Sequence, residues 1–406
     1  MKVFIFAVLN IFLFAGLSHA EKVTFVKEYT YQASELDSKA SCRTISLEMV
    51  KRLLLEELGT YLISETEVKN FKLTKDQITT YSAGIVSAEV VDEKWDGKTY
   101  YLKAKVSADP AEVAKSLQNI ANDKQKAKTL EDVRKKAAEY SREIERLKKE
   151  LAIAKTDNKK VGQKAETQSV EKYTEAVKRL SATDWIDKGL NFIDLGNYSS
   201  ALNAFTKAIE LYPKNFWSYF NRGFAYDMLG NQQQAINDYN KAIELAPKLA
   251  EDANVYILLA NFYFLRGVSY DDLGNLQQAI KDYNKAIELV PKHAGAYHGR
   301  GIVYNKLGIY QQALNDLNKA IELDPQLDEV YFTRGVTYHS LGIYSAAIND
   351  YNRAIELKPN FADAYYNRGL AYGRLKNGEA IYDLKTAAKL GHKEAQDFLR
   401  GNGIGW

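Results

Sequence analysis

A single cysteine, Cys42, stands among 406 residues. No intrachain disulfide can form, so the fold rests on packing and hydrogen bonds alone. Six prolines are too few for a proline-rich linker or a collagen-like chain. Excess charge is missing too. The 55 Lys and Arg residues against 52 Asp and Glu leave a net +3, which gives no electrostatic reason to expect nucleic acid. Beyond the first twenty residues no run is apolar enough to cross a bilayer, which takes about 20 residues. Catalytic signatures are also lacking: there is no phosphate-binding loop, dinucleotide fingerprint, H-E-x-x-H or G-x-S-x-G. Of five histidines, His298 and His339 fall on adjacent repeats with Asp271 on the repeat before. Their spacing fixes no coordination geometry, so neither a metal nor another cofactor is expected. The reading is of a non-enzymatic chain.

What is present is ordinary globular material, 46% hydrophobic and 26% charged, which excludes wholesale disorder. Residues 1–20 read as a signal peptide. Lys2 supplies the positive start, Val3 to Leu17 is apolar apart from Asn10 and Gly16, and Ser18-His19-Ala20 puts small residues where cleavage needs them. A mature chain starting at Glu21, in the periplasm or cell envelope, is the expectation.

Residues 21–109 read as a small α+β domain. Val23, Phe25, Tyr29 and Tyr31 take odd positions, as the buried face of a strand does. Ser34 and Asp37 read as a capping box for a helix carrying Leu36, Ala40, Leu47, Val50, Leu54 and Leu58. The segments 85–95 and 98–106 form a predicted hairpin around Asp96-Gly97, a pair suited to a type I′ turn. Asp109-Pro110 caps the next helix. This strand, helix and hairpin arrangement is similar to the N-terminal domain of a flagellar assembly accessory protein of bacteria.

Residues 110–180 are charged and helical. Leu130, Val133, Ala137, Tyr140, Ile144, Leu147, Leu151 and Ala154 alternate spacings of three and four, an a/d seam. It serves either a homo-oligomeric coiled coil, a parallel dimer by its e/g charges, or a long helix lying on its own chain. The stretch 156–169 loses the seam and reads as a linker.

From residue 182 the sequence repeats every 34 residues, in units 182–215, 216–249, 260–293, 294–327, 328–361 and a shortened sixth from 362, with an insertion at 250–259. The first copy carries Trp185, Gly189, Phe192, Ala201, Phe205, Ala208 and Pro213. The third carries Tyr263, Gly267, Tyr270, Ala279, Tyr283, Ala286 and Pro291 at the same positions, and the other full copies follow. Small residues at positions 8, 20 and 27 let two helices approach closely, so each copy is a helical hairpin that must stack on its neighbours. The signature resembles that of the tetratricopeptide repeat (TPR) family. The resemblance implies a mostly α fold, a superhelical right-handed solenoid of helical hairpins over 181–392, closed by a capping helix and tail at 393–406.

In that family the first helices line a concave face and meet ligands through positions 2, 5, 9, 12 and 13. Carried over, position 5 holds Phe220, Phe264, His298, Phe332 and Tyr366; position 9 holds Phe224, Val268, Ile302, Val336 and Leu370. Asp227, Asp271 and Asp272 follow at positions 12 and 13. The family's carboxylate clamp needs Lys and Asn where Ile186 and Leu190 stand, so a chaperone-tail clamp is not implied. The expected partner is a protein or peptide segment with apolar anchors and a basic end near Asp227, Asp271 and Asp272. The chain then serves as an exported protein–protein interaction scaffold or adaptor. The alternative is a self-assembling envelope protein joined through 110–180. One departure from the family signature has a structural reading. Position 7 is Arg in repeats two to six and position 23 is Asp in the same repeats, whereas repeat one has Lys188 and Ala204. The pairing predicts an Arg–Asp bridge inside each of those repeats.

Overall fold

The computed structural model describes residues 22–34, 37–64, 73–83, 85–122, 124–156, 163–246 and 253–406. The expected signal peptide and its cleavage site lie outside the described residues. The chain divides into two compact units, one ending at Asn191 and the other running from Phe192 to Trp406.

The first unit contains β1 (Val23–Gln32), α1 (Lys39–Ser64), α2 (Lys75–Ala83), β2 (Glu89–Trp95), β3 (Thr99–Ala108), α3 (Pro110–Asn122), α4 (Lys124–Thr156) and most of α5 (Gln163–Asp194). The three strands form an antiparallel sheet in the order β1-β3-β2. Tyr29 pairs with Leu102 and Tyr31 with Tyr100. Alternation decides the faces: Tyr100, Leu102, Ala104 and Val106 are buried on β3, against the face of α1 that carries Cys42, Val50, Leu54 and Leu58. Cys42 is a core residue, and burial pushes its thiol up to about 11.

Local signals are corrected in two places. Helix α1 starts at Lys39, and its capping side chain is Ser38, whose Oγ accepts from the Ser41 amide at 3.1 Å. Asp37 accepts instead from the Ser34 amide and hydroxyl, both at 2.7 Å. The hairpin turn is not type I′, because Gly97 has a positive φ of 91° and Asp96 does not. Asp96 folds back and accepts from the Lys98 and Thr99 amides at 2.8 and 2.6 Å, closing the turn through its side chain. The Asp109 cap is as read: its carboxylate accepts from the Ala111 amide at 2.9 Å.

The seam of α4 is spent inside the chain. Ala137, Ile144 and Leu147 are buried in the same core as Tyr173, Ala176 and Leu180 of α5. A dimer seam must face outward, so in this described middle part of the seam the helix packs on its own unit. The side chains of Leu130, Val133, Leu151 and Ala154 lie outside the described residues. The expected linker is also shorter than read, since α5 is already helical from Gln163.

The second unit continues with α6 (Tyr198–Leu211), α7 (Phe216–Met228), α8 (Gln232–Leu245), α9 (Ala253–Asp272), α10 (Leu276–Leu289), α11 (Ala294–Lys306), α12 (Tyr310–Leu323), α13 (Asp328–Ser340), α14 (Tyr344–Leu357), α15 (Ala362–Arg374), α16 (Glu379–Lys389) and α17 (Lys393–Gly401). Successive helices pack pairwise as hairpins, and each hairpin packs on the next. The close approach within a hairpin depends on position 8: a Cβ on Gly223 or Gly267 would sit 2.8 Å from the ring of Tyr239 or Tyr283. Position 15 closes each turn in the left-handed region, with φ of 74°, 75°, 74° and 75° at Gly230, Gly274, Gly308 and Gly342. In the sixth repeat Lys376 takes that conformation, with φ 57°. The insertion after repeat two is partly helical: from Ala253 it lengthens α9 to 20 residues, where α11 has 13.

Candidate functional site

In repeats two to six one arginine holds the first helix to its own second helix and to the preceding repeat. Arg266 grips Asp282 with Nε at 2.7 Å and Nη2 at 2.6 Å. Arg300, Arg334 and Arg368 grip Asp316, Asp350 and Asp383 the same way, all between 2.7 and 2.8 Å. Arg222 and Asp238 complete the series. Burial lowers the guanidinium pKa in Arg266, but the Asp282 hydrogen bond and charge outweigh it and the net shift is upward. The intra-repeat pairing expected from the sequence is what forms.

The sequence reading missed the remaining donor. Nη1 of each arginine reaches position 25 of the previous repeat: Thr206 at 3.2 Å, Asn240 at 2.6 Å, Asn318 and Asn352 at 2.7 Å, and Asn284. The signal was present, since Asn recurs at that position in four repeats. Repeat one, without its own arginine, still supplies Thr206 as the acceptor that starts the ladder.

This ladder fixes the first helices α7, α9, α11, α13 and α15, which approach one another from repeat to repeat. All the residues read as groove-lining at positions 5 and 9 lie on them: Phe220, Phe224, Phe264, Val268, His298, Ile302, Phe332, Val336, Tyr366 and Leu370 are half-buried. Position 5 does not stand free. Phe264 lies between Tyr283 of its own repeat and His293 at the foot of the next helix, with ring centroids 6.0 and 5.0 Å away. Phe332 repeats this with Tyr351 and Phe361 at 5.9 and 4.9 Å. Phe220 stacks on buried Phe262 at 4.4 Å and on Trp217 at 5.3 Å, an aromatic group that the repeat register alone did not reveal. Tyr366 stacks on His392 at 4.1 Å. His298, the one polar member of the row, reaches Thr333 of the next repeat at 3.0 Å, and burial pushes its imidazole down to about 4.

The three carboxylates part company. Asp227 accepts from Tyr239 and Ser269 hydroxyls, each at 2.7 Å. Burial raises its pKa, with Asp272 adding to the rise and the two hydrogen bonds opposing it. Asp271 pairs with Lys306 of the following repeat at 2.7 Å. Asp272 is exposed. The acidic trio is thus largely occupied by the chain itself, and only Asp272 has no polar partner in the described structure. Along these helices most polar groups pair with one another, while Ser218 Oγ and His339 Nε2 are buried without a hydrogen-bond partner among the described residues, and the apolar rows offer half-covered surface.

Models described as tetratricopeptide repeats match residues 182–215 and 204–237, and a further TPR repeat model matches 267–308, 303–342 and 337–376. Among solved structures the chain is similar to a tetratricopeptide repeat protein from Parabacteroides merdae ATCC 43184, at 23% identity and TM-score 0.44 over 63% of this chain and 97% of that one. It is also similar to YrrB, described as a TPR protein with an unusual peptide-binding site, at 26% identity and TM-score 0.38 over 49% and 99%. MamA is similar at 24% identity and TM-score 0.37 over 43% and 96%. A search of the curated proteins gives no match to the chain.

Proposed function

Because this chain is a tetratricopeptide-repeat protein, we propose that it is an exported interaction scaffold whose solenoid holds a segment of a partner protein along its first helices. The observation that carries this reading is the double row of half-buried aromatic and aliphatic side chains at positions 5 and 9. Half-covered apolar surface running through five repeats suits a ligand laid in by its own apolar side chains. Asp272 favours a Lys or Arg at the end of the segment nearest repeats two and three. Export rests on Lys2, the apolar run to Leu17 and Ser18-His19-Ala20, and the proposed location is the periplasm or cell envelope.

Alanine at Phe264 or Phe332 would disturb the ring contacts between repeats as well as any ligand. A photo-crosslinking residue tests the groove more cleanly. Placed at Asn305, which is position 12 of the fourth repeat on α11, it should capture one envelope protein that the same residue at exposed Lys281 on α10 does not. Equal capture at both positions, or none at Asn305, contradicts the groove reading. Intact mass of the protein recovered from the envelope should give Glu21 as the first residue; retention of Met1 contradicts cleavage.

A further inference from the structure

The first unit carries a half-open cavity of about 1200 Å³ between α1, α2, α4, α5 and the inner face of the sheet. Small-molecule sites commonly measure ~300–1,000 Å³. Its walls are charged, and only part of that charge is matched. Lys51 and Lys188 share Asp184. Three other groups converge there from three helices: Glu48 of α1, Arg134 of α4 and Asp187 of α5. Arg134 gives one donor to the Thr79 carbonyl at 3.2 Å. Among the described residues neither carboxylate has a hydrogen-bond or ion-pair partner. Burial pushes the Asp187 carboxyl up to about 7 and pulls the Arg134 guanidinium down, as expected for charges withdrawn from water without full compensation. Further along α4, Arg142 also lines the cavity, exposed and without an ion-pair partner among the described residues.

These charges are therefore of both signs and stand on different helices, and Lys51 and Arg134 offset the two carboxylates only at a distance, without direct contact. A simple anion would satisfy α4 and meet repulsion from Glu48 and Asp187; a simple cation would do the reverse. Apolar lining from Leu53, Leu55 and Val106 suits the body of a ligand charged at its two ends. We propose that this cavity binds a short peptide with free termini, its carboxylate held by Arg134 and Arg142 and its amine by Glu48 and Asp187. The volume exceeds what one amino acid fills, and a peptide separates its two charges far enough to reach both walls.

Calorimetric titration of the full chain with tetra-alanine, against its N-acetylated and C-amidated forms, tests the proposal. Binding should be measurable for the free peptide and weaker by at least about tenfold for each blocked form, the loss of one charge-assisted contact set. Arg142→Ala, at an exposed position, should erase the preference for a free carboxylate only. Glu48→Gln should erase the preference for a free amine only. A general loss of folding would lower all three affinities together and would show as a changed circular dichroism spectrum. Absence of binding at about 10 mM peptide, equal binding of free and blocked forms, or variants that leave both preferences intact would each overturn the proposal.

Discussion

Both units of this protein bury a carboxylate under a cation, yet they do so at very different distances along the chain. In the solenoid each bridge joins residues 15 or 16 apart, as between Arg300 and Asp316, and the same geometry recurs in five repeats. In the first unit a single aspartate gathers the whole fold. Asp37, with no exposed side-chain surface, accepts from Tyr31 at 3.2 Å and from Tyr173, 136 residues away, and pairs with Lys148 at 3.4 Å. One strand, one loop and two helices meet on that carboxylate. A local bridge copied five times can be read from a periodic sequence; a unique long-range one cannot. The contrast also predicts where damage spreads: along a ladder from repeat to repeat in the solenoid, and through the whole unit at Asp37.

The largest expected effect is on the ladder. Arg300→Ala leaves Asp316 buried without its cation and removes the bond to Asn284, which should cost about 3–5 kcal/mol in chemical denaturation of the solenoid. Replacing both partners, as Arg300→Met with Asp316→Leu, should restore most of it, because the uncompensated charge is gone. If the single change costs no more than a surface ion pair, roughly 0–1 kcal/mol, the ladder does not bear on stability.

Next is the seam of α4. Leu147→Ala removes a side chain that is 2% exposed and should destabilise the first unit by about 2–5 kcal/mol. Hydrogen exchange should speed up in α1 and the sheet while the repeats stay protected, and light scattering should show no change in mass. A change of mass with unchanged exchange would return the seam to an intermolecular role.

Asp37→Asn keeps the shape of the hub and removes its charge, for an expected loss of about 2 kcal/mol in the first unit. The sign with pH follows from its shift. Burial pushes the Asp37 carboxyl up, but the Tyr173 and Ser34 hydrogen bonds and the Lys148 charge outweigh it, and the folded value lies below the ordinary 3.8. Stability from this group is therefore fully present above the unfolded value and is lost as pH falls through the folded one. Wild type should lose first-unit stability below about pH 4 more steeply than Asp37→Asn. Parallel pH profiles would remove Asp37 from its role.

The smallest effect is a gain. Lys376 occupies the left-handed conformation that glycine takes in the other turns, so Lys376→Gly should stabilise the last repeat by about 0.5–1 kcal/mol. A loss of stability would mean that the lysine side chain contributes something its exposure does not suggest.

Much of the solenoid was legible because each repeat sees the same neighbours, so identical physical demands leave identical residues 34 positions apart. Arg at position 7 and Asp at position 23 vary together, and their bridge could be inferred from that alone. The Asn at position 25 recurs just as visibly, yet its role depends on stacking one hairpin against the next. The rows at positions 5 and 9 fall on the first helices, yet the sequence does not show that Phe264 packs on Tyr283 and His293, because that contact is decided by the neighbouring repeat. In the first unit the strands and the Asp109 cap were readable because alternation and capping act within a few residues. The a/d seam gave the right face of α4 and left its partner open, since the same apolar stripe suits a second copy or the chain's own core.

The amino-acid sequence by itself determined the repeat and the intra-repeat bridges, features whose physical causes lie within one helical hairpin. Only the tertiary structure decided that α4 packs inward, that Asp37 and not a capping box organises the start of α1, that Asp227 and Asp271 are taken by Tyr239, Ser269 and Lys306, and that Glu48, Arg134 and Asp187 share a cavity. Those outcomes depend on groups brought together from distant parts of the chain, where no periodicity records the encounter and only the packing of one element against another chooses among the partners the sequence allows.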